Sequence, residues 1–88
     1  MLLILDGRLM LTRSQAHDHI KQQLKLPEYY GRNLDALYDL LMEVPGGTEI
    51  RLVHHMDMLD HLGSYGDILF RTLQEAAEEN PNLTFSAQ

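Results

Sequence analysis

Residues Leu26 to Glu43 read LPEYYGRNLDALYDLLME, and the order of breaker, cap and apolar repeat within them sets out how the chain is built. Pro27 lacks an N–H and its ring clashes with a preceding helical turn, so a helix entering from the N-terminal side stops there. Glu28 to Arg32 form an irregular loop, and Asn33 has a side-chain oxygen suited to capping a helix. Beyond it Leu34, Leu37, Leu41 and Val44 recur at helical spacing with Leu40 beside them, which predicts an amphipathic helix; Pro45-Gly46-Gly47 ends it.

Towards the N-terminus, Met1 to Leu5 is a short apolar run that predicts a buried strand, closed by the turn signal Asp6-Gly7. Thr12-Arg13-Ser14-Gln15 has the form of a capping box and opens a helix to about Leu24, with Ala16, Ile20 and Leu24 on its inner face. On the C-terminal side Thr48 to Val53 predicts a second strand, with Ile50 and Leu52 on one face and Arg51 and Val53 on the other. Met56 to Leu62 predicts a short helix. Ser64 with Asp67 is expected to cap a longer one that turns Ile68, Leu69, Leu73 and Ala76 inward, and Asn80-Pro81-Asn82 stops it. Leu83 to Ala87 predicts a last strand, Leu83 and Phe85 sharing a face. Strands separated by helices imply an α/β fold with a parallel sheet covered by helices. No linker or repeat divides the chain, so residues 1–88 are expected to form one domain.

Eighty-eight residues suffice for one core, since a chain near this length buries roughly 60–65% of its unfolded surface. With 44% hydrophobic and 23% charged residues the composition is that of a globular protein. There is no cysteine, which removes disulfides, thiolate nucleophiles and cysteine-ligated zinc. The apolar start has no basic flank or cleavage site, and nothing approaches the roughly 20 apolar residues of a membrane span, so the expected location is the cytoplasm. The formal net charge of −6 repels nucleic acid and anionic membranes and speeds encounter with a basic partner.

The acids on the central helix sharpen that expectation. Asp35, Asp39 and Glu43 stand at i, i+4 and i+8, so their Cβ atoms are expected roughly 5–6 Å apart along one ridge. Like charges at this spacing oppose helix formation, and an acid near the helix end meets an unfavourable dipole. Helix stability alone does not choose this arrangement. Glu28, Tyr29 and Tyr30 bring another acid and two rings beside the ridge, with Tyr38 on the helix; tyrosine offers large contact area with few rotatable bonds. Tyr30 is expected to close the core, and Tyr29 and Tyr38 to face a partner. Two chemical alternatives use the same chain. Asp35 and Asp39 could serve as an acid and base pair, although no histidine or metal stands near them in sequence. The clusters His54, His55, Asp57, Asp60, His61 and His17, Asp18, His19 contain ligand types but no tight-site spacing, so no metal or cofactor is expected.

The stretch Leu26-Pro27-Glu28-Tyr29-Tyr30-Gly31-Arg32-Asn33-Leu34-Asp35-Ala36-Leu37-Tyr38-Asp39 closely resembles the signature of the barstar family, intracellular inhibitors of the bacterial ribonuclease barnase. The resemblance extends more weakly over the whole chain, through the opening strand, the capped first helix, and Gln74-Glu75-Ala76 before a short last strand. It implies a three-stranded parallel sheet packed against four helices, and a bacterial inhibitor that plugs a ribonuclease active site. By that resemblance Asp39 would enter the phosphate pocket and face the enzyme's arginines and catalytic histidine. Asp35 and Tyr29 would flank it, Tyr38 would take a position held by tryptophan in barstar, and Glu75 would add a peripheral acidic contact. Gly31 and Asn33 would shape the loop. A carboxylate can accept from the guanidinium groups that otherwise hold an RNA phosphate, so the inhibitor needs no chemistry of its own.

The chain departs from the family pattern in places. Arg32 stands where barstar has an acid; it would either offset the ridge or meet an acidic group on the partner. A second tryptophan, near Val44, and both family cysteines are absent. The expected partner is thus a basic ribonuclease or related nuclease toxin bound by a monomer, with some other basic nucleic-acid-binding protein as the alternative.

Overall fold

Burial alternates along a strand at Thr48–Val53: Thr48, Ile50 and Leu52 are buried while Glu49, Arg51 and Val53 are half-exposed, so one face of the sheet is covered and the other meets solvent. The computed structural model describes residues 1–88 as β1 (Leu2–Asp6), a single 3-10 turn (Gly7–Leu9), α1 (Arg13–Leu24), α2 (Leu34–Leu41), β2 (Thr48–Val53), α3 (His55–Leu62), α4 (Ser64–Glu79) and β3 (Leu83–Ala87). The strands lie in the order β1-β2-β3, all parallel, with Leu3 opposite Ile50 and Ile50 opposite Phe85. This is the α/β fold expected, a three-stranded parallel sheet packed with four helices. Parallel neighbours need a crossover, and each here contains two helices, α1 and α2 between β1 and β2, α3 and α4 between β2 and β3.

The core joins Leu5, Ile50, Leu52 and Leu83 from the strands to Ile20 from α1, Leu37 and Leu41 from α2, and Leu69 and Leu73 from α4, each at most 2% exposed. Tyr30 joins them, as expected of the inner of the two loop tyrosines. Thr12 caps α1, its side-chain oxygen accepting the Gln15 N–H at 3.2 Å.

Several local expectations are corrected. The first strand runs Leu2–Asp6, one residue later at both ends than the apolar run, because parallel pairing carries Asp6 alongside Val53. It is not the buried strand expected, since Leu2 and Ile4 are exposed on the open face of the sheet. α2 ends at Leu41, so Val44 and Glu43 lie outside it. The reason is local chemistry: the Leu41 carbonyl would accept from residue 45, but Pro45 has no N–H, and Asn80 Nδ2 donates to that carbonyl instead at 2.9 Å. α3 begins at His55, one residue before the expected Met56, directly after His54, which turns out of the strand into the left-handed region at φ 55. At the start of α4, Gly63 precedes the helix without a side-chain cap, and Asp67 pairs instead with Arg71 at 3.0 Å one turn on. Ile68 is 47% exposed. The inward stripe of α4 is Leu69, Leu73 and Ala76, and Ile68 falls about 100° around the helix towards α2.

Candidate partner-binding site

The loop before α2 is built by Gly31 and Asn33. Asn33 Oδ1 accepts the Ala36 N–H at 2.8 Å, the cap expected from sequence, while its Nδ2 donates to the Gly31 carbonyl at 3.1 Å. A Cβ on Gly31 would stand 3.1 Å from Asn33 Nδ2 and 3.3 Å from Ala36 Cβ, so a side chain there would press on the cap itself. The loop is fastened to α1 at three points. Lys21 Nζ meets Glu28 at 3.2 Å, His17 Nδ1 meets the Tyr30 hydroxyl at 2.6 Å, and Arg32 pairs with Asp18. Arg32 Nη2 also donates to Ser14 Oγ at 2.8 Å and to the Ser14 carbonyl at 3.1 Å. Arg32, in the left-handed region at φ 55, therefore turns back to α1 and does not neutralise Asp35, one of the two roles considered for it.

On the surface this creates, Tyr29 is 81% exposed and Asp35 and Asp39 stand one helical turn apart in solvent. Tyr38 is half-buried, its ring resting on the core. Asp35 and Tyr38 share a shallow groove with Glu75, reached from α4, together with Leu34, Ile68 and Thr72. Four residues singled out in sequence for a partner, Asp35, Tyr38, Asp39 and Glu75, are thus carried on two packed helices. Glu43 is exposed, but in the turn after α2, so the ridge of three acids reduces to a pair on the helix. Ile68 and Thr72 were not identified in sequence; their spacing of four and three residues from each other and from Glu75 puts all three on one face of α4, which was the available signal.

The charges on this surface are left open. Of the thirteen acids, six make ion pairs: Asp6, Asp18, Glu28, Glu49, Asp57 and Asp67. Six of the seven without a cation within 4.0 Å are Asp35, Asp39 and Glu43 on or just after α2, and Glu75, Glu78 and Glu79 on the last turns of α4. The unpaired negative charge is therefore concentrated where α2 and α4 lie together.

His17 and His19 are built into the fold. His17 is 2% exposed, and its Nε2 meets the Tyr65 hydroxyl at 2.7 Å while Nδ1 meets Tyr30. A neutral imidazole donates at one nitrogen and accepts at the other, which suits two hydroxyls; a protonated one would require both to accept. Burial pushes the His17 pKa below its ordinary value, with the Arg32 guanidinium adding to this against a smaller opposing effect of Asp18. Burial likewise raises the Tyr30 and Tyr65 hydroxyls. His19 Nε2 accepts the Asp6 N–H at 2.9 Å, and burial lowers its pKa against the opposing charge of Asp6. No three His, Asp or Glu side chains converge as a metal-ligand set.

These shifts fix a pH response. Both histidines bind protons less readily folded than unfolded, so stability is unaffected well above the ordinary value of 6.5 and falls as pH drops through and below it. His17→Gln, which cannot protonate, is expected to lower the slope of stability against pH in that window by up to ~1.4 kcal/mol per pH unit, the value for one proton. Urea unfolding midpoints measured across the window check this; an unchanged slope would remove His17 from the account.

The chain is matched by a family model along almost its whole length. The model described as barstar (barnase inhibitor) matches residues 1–87. The chain belongs to the barstar family. Among its relatives is the Bacillus subtilis (strain 168) protein YrdF, provisionally named a ribonuclease inhibitor, 40% identical over 81 residues that span 88% of this chain and 86% of that protein. Barstar membership accounts for the resemblance of Leu26 to Asp39 and for its extension to the last strand. No helix is long and apolar enough to cross a membrane.

Proposed function

We propose that this barstar-family chain is a ribonuclease inhibitor, not an enzyme, that acts in the cytoplasm by binding and blocking the active site of a basic barnase-type ribonuclease. The observation that carries the reading is the concentration of unpaired carboxylates on α2 and α4 beside the exposed Tyr29. In this reading Asp39 occupies the position of a substrate phosphate, Asp35 and Tyr29 flank it, and Tyr38 and Glu75 close one side. Gly31, Asn33 and Arg32 hold the loop in its binding conformation. An enzyme mechanism through Asp35 and Asp39 is disfavoured because both side chains stand in solvent on a helix surface.

A carboxylate held ready, with no internal cation to displace, meets an incoming arginine without first breaking a bond. Titration of a barnase-type ribonuclease with the chain, following RNA cleavage, is expected to abolish cleavage at about one inhibitor per enzyme, with affinity falling as salt is raised. Full cleavage in excess inhibitor would sink this reading. The paired Arg32 and the absent tryptophans favour an enzyme whose surface differs from that of barnase, and they leave one second reading, a different basic nuclease toxin or nucleic-acid-binding protein. Capture of such a protein without inhibition of any barnase-type enzyme would support it.

A further inference from the structure

Four of the five arginines pair with carboxylates of their own chain: Arg8 with Asp6, Arg32 with Asp18, Arg51 with Glu49 and Arg71 with Asp67. Arg13 has no such partner although the chain carries an excess of acid. Its guanidinium instead lies over the Tyr65 ring, 4.3 Å from the centroid. That ring is fixed, because its hydroxyl meets His17 Nε2 at 2.7 Å and His17 is fixed in turn by Tyr30. Stacking on a ring leaves the in-plane N–H groups of a guanidinium free to donate.

Arg13 borders an open cleft of about 650 Å³ shared with Arg32, Asn33 and Asp35. Asp35 faces this cleft also without a cation within 4.0 Å. One rim therefore offers an unpaired, pre-positioned guanidinium and another an unpaired carboxylate. Such a cleft is complementary to a partner surface that presents a basic and an acidic side chain side by side. Against a uniformly basic surface Arg13 is repulsive, so the same residue that attracts one ribonuclease rejects another.

We propose that Arg13, stacked on Tyr65 at the edge of the acidic surface, receives an aspartate or glutamate side chain of the target ribonuclease and so selects among basic ribonucleases. The assignment rests on the ribonuclease reading above. A planar guanidinium can bind a carboxylate with two parallel N–H donors, which supplies geometry as well as charge. Arg32, already engaged by Asp18 and Ser14, adds positive potential to the cleft and keeps its wall in place.

A double-mutant cycle tests this, with the barnase-type ribonuclease that the chain inhibits as probe and barnase first in the series. Arg13→Ala is expected to weaken inhibition about tenfold and Arg13→Glu more strongly, with circular dichroism confirming that both variants fold. One Asp→Ala or Glu→Ala variant of the enzyme is expected to show the same loss, with little further loss when it is combined with Arg13→Ala. Inhibition within twofold of wild type for Arg13→Ala, tighter inhibition, or a loss that no acidic residue of the enzyme shares would each overturn the assignment while leaving the inhibitor reading intact. Absence of inhibition by the wild type across the series overturns the inhibitor reading first and this assignment with it.

Discussion

Asp39→Ala is expected to weaken the complex with the target ribonuclease by roughly 30- to 4,000-fold while leaving the fold as stable as before or slightly more so. The range corresponds to the ~2–5 kcal/mol lost when one partner of a desolvated, hydrogen-bonded charge pair is truncated, a class of measurement to which the barnase–barstar pair itself belongs. The opposite effect on stability follows from α2. Asp39 stands four residues after Asp35 and within the last turn of Leu34–Leu41, where both the neighbouring carboxylate and the helix dipole disfavour a negative charge. It makes no hydrogen bond or ion pair whose loss would offset that relief. Inhibition titrations read the first quantity and urea midpoints the second. Equal inhibition by wild type and variant would leave an inhibitor but overturn the site assignment, and a large fall in midpoint would make any lost affinity a matter of unfolding.

Gly7→Ala is expected to be the most damaging small substitution in the fold. A Cβ at residue 7 would stand 2.1 Å from the His54 carbonyl oxygen and 3.0 Å from Met58 Cβ. The first obstacle is backbone, which no side-chain rotation relieves. His54 is itself constrained, left-handed at φ 55, with its carbonyl accepting the Asp57 N–H at 3.1 Å and the Met58 N–H at 3.4 Å as α3 begins. Moving it disturbs the start of that helix. The cost is expected to reach at least the upper end of ordinary overpacking, about 3 kcal/mol, which for a domain of this size lowers Tm by roughly 12–24 °C. Gly47→Ala supplies the comparison, because Gly47 has φ 79 but nothing within 4 Å of a modest addition, so only the left-handed backbone penalty of ~1–2 kcal/mol applies. A Gly7→Ala protein that melts within 3 °C of wild type would show that the close approach relaxes.

Much of the fold was legible because its signals are local. Thr12 and Asn33 were read as caps and act as caps, since a side-chain oxygen three residues from its N–H donor needs no tertiary partner. The six residues of β2 were located by alternation, and β3 by its turn and its paired faces. The misreadings fall where distant segments decide. Ile68 was assigned inward by its spacing, but α2 packs along α4 so as to leave it at the groove rim. Nor could the sequence show what His17 and His19 do: the Tyr30 and Tyr65 hydroxyls, the latter 48 residues away, meet both His17 nitrogens, and the Asp6 N–H meets His19 Nε2.

The sequence by itself determined the order of strands and helices, the acidic pair Asp35 and Asp39 on one helix face, and the membership in the barstar family that the stretch from Leu26 to Asp39 announces. Only the tertiary structure decided which charges are free. Arg32 is three residues from Asp35 and fourteen from Asp18, yet it pairs with Asp18 because the left-handed turn at Arg32 swings its side chain towards α1. Arg13 remains without an acid for the same kind of reason, held over the ring of a residue that lies on another helix. An ion pair depends on distances of a few ångströms, and in a fold whose crossovers bring α1, α2 and α4 together those distances are set by packing, not by separation along the chain.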